Sequence, residues 1–206
     1  MIERVLKASA QGSATRDRIL DAAFETLRHE GFAGTSARVI ARTGNFNQAL
    51  IFYHFGGVND LLLATLDRIS GERMRRYQAV LSSASGLVAL AELVRQLYLE
   101  DIDSGHSTVL AELFAACIGD PNLRDQMLRR MQPWLEFTED LIRRFLQDSP
   151  FAALIDPRSA AGAVLAMYVG VDLLLHLDGD RTRATAMFDA GDRLAATLGP
   201  LMEAGS

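Results

Sequence analysis

The sequence predicts an all-α protein of about nine helices, with a three-helix N-terminal head containing a helix-turn-helix and a C-terminal helical bundle. Three observations predict it. Apolar residues make up 49% of the 206 positions and only five prolines interrupt them, which favours helices over punctuated loops. Apolar side chains recur at spacings of three and four through successive segments, the signature of one buried helical face. Two adjacent segments within residues 35–55 are too short to hold themselves up, so they must pack on a third.

Residues 1–13 read as a frayed polar arm, a disordered tail in preference to one whose Arg4 and Lys7 brush phosphates. The first helix is expected over 15–30. Thr15 is its candidate cap, Asp17 suits the positive end of the dipole, and Ile19, Leu20, Ala23, Phe24 and Leu27 form its core stripe. Arg16 and Arg18 at its start can reach a nucleic-acid backbone, and Gly31 ends it. Glu25 and His29, four apart, read as a solvated pair rather than metal ligands, since no third ligand is near. Thr35 or Ser36 then caps a helix carrying Val39, Ile40 and Thr43. Gly44-Asn45 breaks it, because glycine and asparagine tolerate the left-handed conformation. Asn47 caps a second short helix, 48–54, that buries Leu50 or Ile51 and Phe55 and leaves Gln48, Ala49, Phe52 and Tyr53 outward. A helix-turn-helix whose second helix enters a DNA major groove has this organisation.

The block GFAGTSARVIARTGNFNQALIFYHFGGVNDLLL resembles the DNA-binding domain of the tetracycline-repressor (TetR) family of bacterial transcriptional regulators. The family pattern maps without a gap onto Gly31-Phe32, residues 35–41, residues 44–47 and residues 51–55, and the resemblance covers roughly residues 14–66. It implies a dimeric, ligand-responsive transcriptional regulator, a repressor released from a pseudo-palindromic operator by a small molecule. Three positions depart from the pattern. Phe52 replaces a tyrosine whose hydroxyl meets a phosphate, Val58 replaces a backbone-contacting lysine, and Asn45 replaces a glycine. Each neutralised phosphate contributes about 0.9 to the salt slope, so a shallower salt dependence than the family's is expected. Base reading is assigned to Gln48, which can pair bidentately with adenine, together with Asn47 and Tyr53. Ala49 suits a thymine methyl. Thr35, Ser36 and His54 suit phosphates. Arg38 serves either role, or neutralises an acid on the first helix.

Gly56-Gly57 forms a joint, and one long helix over 59–81 leads from head to body, with Gly71 inside it. Its Arg73, Arg75 and Arg76 read as a solvated basic face. The domain boundary is set accordingly, with residues 1–56 as the DNA-binding head and residues 57–206 as the effector-binding and dimerisation body. Further helices are expected over 87–103 and 106–118. Asp101, Asp103 and His106 read as a capping loop broken by Gly105. Asp120 caps the next helix, with Pro121 at its first position, and Pro133 is expected to kink it.

A helix over 158–177 is apolar nearly all round. Its uncharged run, 159–171, is only 13 residues, short of the roughly 20 needed to span a bilayer, so no membrane association is expected. Such a helix is expected to be buried by a second subunit. Together with a last helix over 183–198, stopped by Gly199-Pro200, it reads as half of a four-helix homodimer interface through residues 158–198. Asp172 and His176 read as a structural hydrogen bond.

The net charge is −5, yet residues 1–81 carry 11 basic against 8 acidic side chains while residues 82–206 carry 10 against 18. A basic head on an acidic body suits phosphate attraction at the head, because the field fades within about 8–10 Å. The single cysteine, Cys117, and the lack of a secretory pattern fit a cytoplasmic protein without a disulfide framework. A nucleophile-base pair of Cys117 and His106 lacks a third member, so the chain is not read as an enzyme. No cofactor and no metal site are expected. The effector, an unknown and largely apolar small molecule, is assigned to Tyr98, His106, Leu110, Phe114, Cys117, Met127, Met131, Trp134, Phe137, Met167 and Tyr168. The alternative reading is a helical dimeric interaction protein with weakened DNA binding.

Overall fold

The computed structural model describes residues 2–147 and 149–203, with side chains over 12–147 and 149–200. The described residues form nine helices and no strand: α1 (Ile2–Gly34), α2 (Ala37–Thr43), α3 (Ala49–Phe55), α4 (Val58–Leu81), α5 (Leu87–Ser104), α6 (His106–Gly119), α7 (Pro121–Leu146), α8 (Pro157–Asp178) and α9 (Arg181–Glu203). They divide into two compact units. One contains residues 1–71 and 112–126, the other residues 72–111 and 127–206.

In the first unit the core is built from α1, α2, α3 and α4. Ile19, Leu27, Ile40, Ile51 and Leu61 are all fully excluded from solvent. This stripe supplies the support that two seven-residue helices lack. α1 starts at Ile2, so the expected arm is helical and Thr15 lies inside the helix rather than capping it. The side chains of Arg4 and Lys7 lie outside the described residues. Gly31 interrupts the helical backbone with φ 67°, as its place in the sequence suggested. The Glu112 carboxylate sits where a Cβ on Gly31 would point, 2.9 Å away, and accepts the Phe32 backbone N–H at 2.6 Å. Glycine is needed here both for the positive φ and for the close approach.

The second unit has an apolar core of Tyr77, Leu81 and Leu97, with Leu93, Val94, Trp134, Phe137 and Leu141 packed against it. Helix starts follow the capping residues closely. Asp120 Oδ1 accepts the Asn122 and Leu123 N–H groups at the head of α7, within the first unit. Asp156 accepts the Ser159 N–H ahead of α8, with Pro157 at its first position. Gly105 and Gly179 end α5 and α8 in the left-handed conformation. α7 continues through Pro133 as one helix.

One further boundary differs from expectation. α9 does not stop at Gly199-Pro200 but runs to Glu203. Gly199 is buried beside Val88, so packing overrides the local stop signal. α8 extends over 22 residues, long and apolar enough by composition to cross a membrane, and only 11% of its apolar window is buried within the chain. Its bounds lie within one residue of the expected 158–177, set by the cap at Asp156 and by Gly179.

Candidate nucleic-acid interface

The turn between α2 and α3 is built from local chemistry. Ser36 caps α2, its Oγ accepting the Val39 N–H at 3.3 Å. Thr35 turns inward and donates its hydroxyl to the Gly31 carbonyl at 2.6 Å. Gly44 ends α2 at φ −88°, so the left-handed residue of the turn is Asn45, at φ 50°. Gly44 is required for space instead, since a Cβ there would meet Phe46 Cε1 at 2.3 Å and Ala22 Cβ at 2.7 Å. Asn47 Oδ1 accepts the Ala49 N–H at 2.9 Å and so starts α3.

One buried residue, Ile51, fixes α3 to the head. Arg16, read in the sequence as a backbone contact, holds the far end of α3. It donates to the His54 carbonyl at 3.0 Å and lies 4.2 Å above the Phe55 ring. The opposite side of α3 is left open. Phe52 is 53% and Tyr53 82% exposed, and Gln48 and Ala49 are exposed with them. Tyr53 stacks edge-on against the half-buried His54 ring. Arg38, Arg42, Asn45, Asn47 and Gln48 line one shallow depression with Phe46. Thr35, Ser36 and Val58 line a second. A surface of amide, hydroxyl and guanidinium groups around an outward helix can contact both base edges and phosphates.

The residues assigned to an effector are divided between the units. Phe114 and Cys117 belong to the first, and Tyr98, His106, Leu110, Met127, Met131, Trp134, Phe137, Met167 and Tyr168 to the second. Burial raises the Cys117 thiol pKa, with Asp120 adding to the effect, which holds it away from the reactive thiolate. Met167 is half exposed.

In the second unit, Tyr98, His106 and Tyr168 come together around a buried ion pair that the sequence reading missed. Arg73 does not lie on a solvated face; it is 8% exposed. It donates from Nε at 2.9 Å and from Nη2 at 2.5 Å to Asp101 Oδ2, and from Nη2 to the Tyr168 hydroxyl at 2.5 Å. Tyr77 donates to the same carboxylate at 2.8 Å, and His106 Nδ1 lies 3.5 Å from its other oxygen. Asp101 is therefore a buried network centre through its carboxylate, while its backbone carbonyl accepts the Gly105 N–H in the expected cap. Burial works against its charge, but His106 and Arg73 more than offset this and hold its pKa below the usual carboxylate value. The signal in the sequence was spacing. Arg73 falls four residues after Ile69 and four before Tyr77, on the buried stripe of α4.

Asp172 is the other departure. It is 3% exposed, and the groups that reach its carboxylate are the Tyr98 and Ser107 hydroxyls rather than the expected His176. His176 projects to the exposed side of α8. Among the described residues no group of three His, Cys, Asp or Glu side chains is arranged to hold a metal ion.

Residues 19–65 match the family model described as bacterial regulatory proteins, tetR family. The chain is similar to the HTH-type transcriptional regulator SrpR of Pseudomonas putida, 21% identical over 80% of this chain and 76% of that one. Among solved structures, it is similar to the transcriptional regulator FadR from Bacillus subtilis in complex with stearoyl-CoA. That match has a TM-score of 0.71 at 16% identity, over 86% of this chain and 96% of that one. A further match is the multidrug binding protein EbrR complexed with imidazole, with a TM-score of 0.60 at 25% identity, covering 91% of this chain and 90% of that one.

Proposed function

We propose, from the premise that through residues 19–65 the chain belongs to the tetR family of bacterial transcriptional regulators, that it acts as a dimeric repressor released from a pseudo-palindromic operator by a small molecule. The observation that carries this reading is the outward face of α3. Gln48, Ala49, Phe52 and Tyr53 take no part in the head's core, while Ile51 and Arg16 fix the helix on its other sides. Gln48 then reads a base, with Asn47 and Tyr53 beside it. Ser36 and His54 meet phosphates, and Thr35 contributes through its position rather than its hydroxyl, which is already committed. Arg38 contacts the duplex, since its side chain is exposed. DNA recognition is assigned to residues 1–56, and effector binding and pairing to residues 57–206.

Pairing is supported by an apolar surface that one chain leaves uncovered. Val164, Met167, Leu174 and Leu177 of α8 are exposed, as is Leu194 of α9. The α8 residues are spaced by three, seven and three, a single stripe. Such a stripe belongs in a helix-helix interface rather than in water. A bilayer suits it less, because the same helix carries Asp172 and a tyrosine bonded to Arg73. A cytoplasmic dimer follows. The FadR and EbrR structures hold small molecules by their descriptions, and a ligand in the body of this chain would act by favouring one spacing of the two heads over another.

The alternative, a helical interaction protein with weakened DNA binding, draws on Phe52 and Val58. A salt-titrated mobility-shift assay separates the two. Gln48→Ala should weaken binding to a selected duplex by about 1–3 kcal/mol and leave binding to random DNA nearly unchanged. If neither affinity changes, α3 is not the reading helix.

A further inference from the structure

We infer that the Asp172 carboxylate, with the hydroxyls of Tyr98 and Ser107 around it, is the recognition point for a small molecule bearing a protonated amine. The inference rests on the reading of the second unit as the effector-binding body.

Among the described residues of that unit two carboxylates, Asp101 and Asp172, are buried, and they are treated differently. Asp101 accepts from Arg73 and Tyr77 and has His106 beside it. No cation among the described residues is bonded to Asp172; the groups that reach its carboxylate are the hydroxyls of Tyr98 and Ser107. Tyr98 is 1% and Ser107 5% exposed, and both are close enough to Asp172 to influence its protonation. Two hydroxyls and a carboxylate thus close on one another with no counter-charge bonded among them. Buried polar atoms are almost always satisfied, and a buried unpaired charge is the costliest exception. A buried carboxylate with no cation bonded to it points to a group that arrives from outside.

The chemistry of that group follows from what is missing. An ionised carboxylate only accepts hydrogen bonds, while the two hydroxyls can turn to donate or accept. Arg73, whose charge acts on Asp172 from a distance, is already committed to Asp101 and Tyr168. Desolvation lifts the Asp172 pKa to about 6, so at neutral pH the carboxylate is mostly charged, with no cation bonded to it. An ammonium supplies both the donors and the opposite charge. An anion would be repelled, and a neutral apolar molecule would leave the charge buried. The flanking walls are aromatic. The Tyr98 ring meets Tyr168 edge-on at 5.3 Å and Phe188 at 5.1 Å, which suits an apolar body next to a cationic end.

The test uses the full-length protein without DNA, with benzylamine, benzyl alcohol and benzoate as probes in thermal unfolding and calorimetric titration. Asp172→Asn should melt above the wild type at neutral pH, because an unmet charge is removed without loss of shape. Benzylamine should raise the melting temperature of the wild type and bind Asp172→Asn about thirtyfold or more weakly. Benzyl alcohol and benzoate should produce no shift in either protein. Tyr98→Phe, which keeps ring and carboxylate, should retain the preference for benzylamine over benzyl alcohol. A lower melting temperature or loss of folding in Asp172→Asn would mean the carboxylate is a structural acceptor, and would overturn the inference. Equal responses to amine and alcohol, or an amine response untouched by Asp172→Asn, would overturn it as well. The same titration on Gln48→Ala should be unchanged, so failure of amine binding and failure of DNA reading are separable.

Discussion

Asp101→Asn should remove about 3–5 kcal/mol from the stability of the body, because it leaves the Arg73 guanidinium buried without its counter-charge. Arg73 is 8% and Asp101 2% exposed, so solvent cannot take over the lost interaction. Urea unfolding followed by the fluorescence of Trp134 reports it directly, since that ring stands 5.4 Å from Tyr77 and 5.3 Å from the Arg73 guanidinium. Replacing both partners with apolar residues, Arg73→Met with Asp101→Leu, should recover much of the loss, as the cost lies in the orphaned charge. The deficit also has a sign in pH. The folded pKa of Asp101 is depressed, so its contribution is present above the unfolded value of about 3.9 and disappears as pH falls through the folded value. Wild type and Asp101→Asn should therefore converge in acid and differ most at neutral pH. A loss under about 1 kcal/mol at neutral pH would show that the network is not what organises the body.

Met167→Glu combined with Leu174→Glu should convert the protein to a folded monomer and weaken operator binding about a hundredfold or more. Both side chains are exposed in the single chain, at 50% and 44%, so the substitutions leave no cavity and the helical signal should stay near that of the wild type. Their effect falls on pairing, where two carboxylates from each chain would face their copies in an apolar seam. The loss of affinity follows from valency. Two linked heads exceed the affinity of one by about 10²–10⁴ without any new contact. Sedimentation equilibrium and a mobility-shift assay on the same samples check both halves. A double variant that still sediments as a dimer would move the interface away from α8.

The two halves of the molecule differ in how far they could be read from the chain. The head is written in local signals. Ser36 caps α2, Asn45 takes the left-handed turn, Asn47 starts α3, and Ile51 is the buried member of its helix. Each of these interactions spans a few residues, so spacing alone announces it. The body depends on residues far apart in sequence. Asp101 is 28 positions from Arg73, and Tyr168 is 95. No local pattern says which charge on α5 will meet which on α4. Arg73 stands beside Arg75 and Arg76 and so read as part of a surface cluster, yet only its place between Ile69 and Tyr77 decided its burial. Asp172 was hidden for a similar reason. It stands four residues before His176 and so read as half of a local pair, whereas the groups that reach it, Tyr98 and Ser107, come from α5 and α6. Arg16 shows the same limit inside the head, since its partner, the carbonyl of His54, lies 38 residues away.

Selection of bound duplexes from a random pool by the full-length protein tests the central claim most directly. Two copies of α3 on a two-fold dimer should enrich inverted half-sites whose centres lie one helical turn apart, about 34–36 Å, or a whole multiple of it. Gln48→Ala should relax the preference at one position in each half-site. Enrichment of a lone half-site, of half-sites at no fixed spacing, or of no sequence at all would contradict a paired, groove-reading regulator.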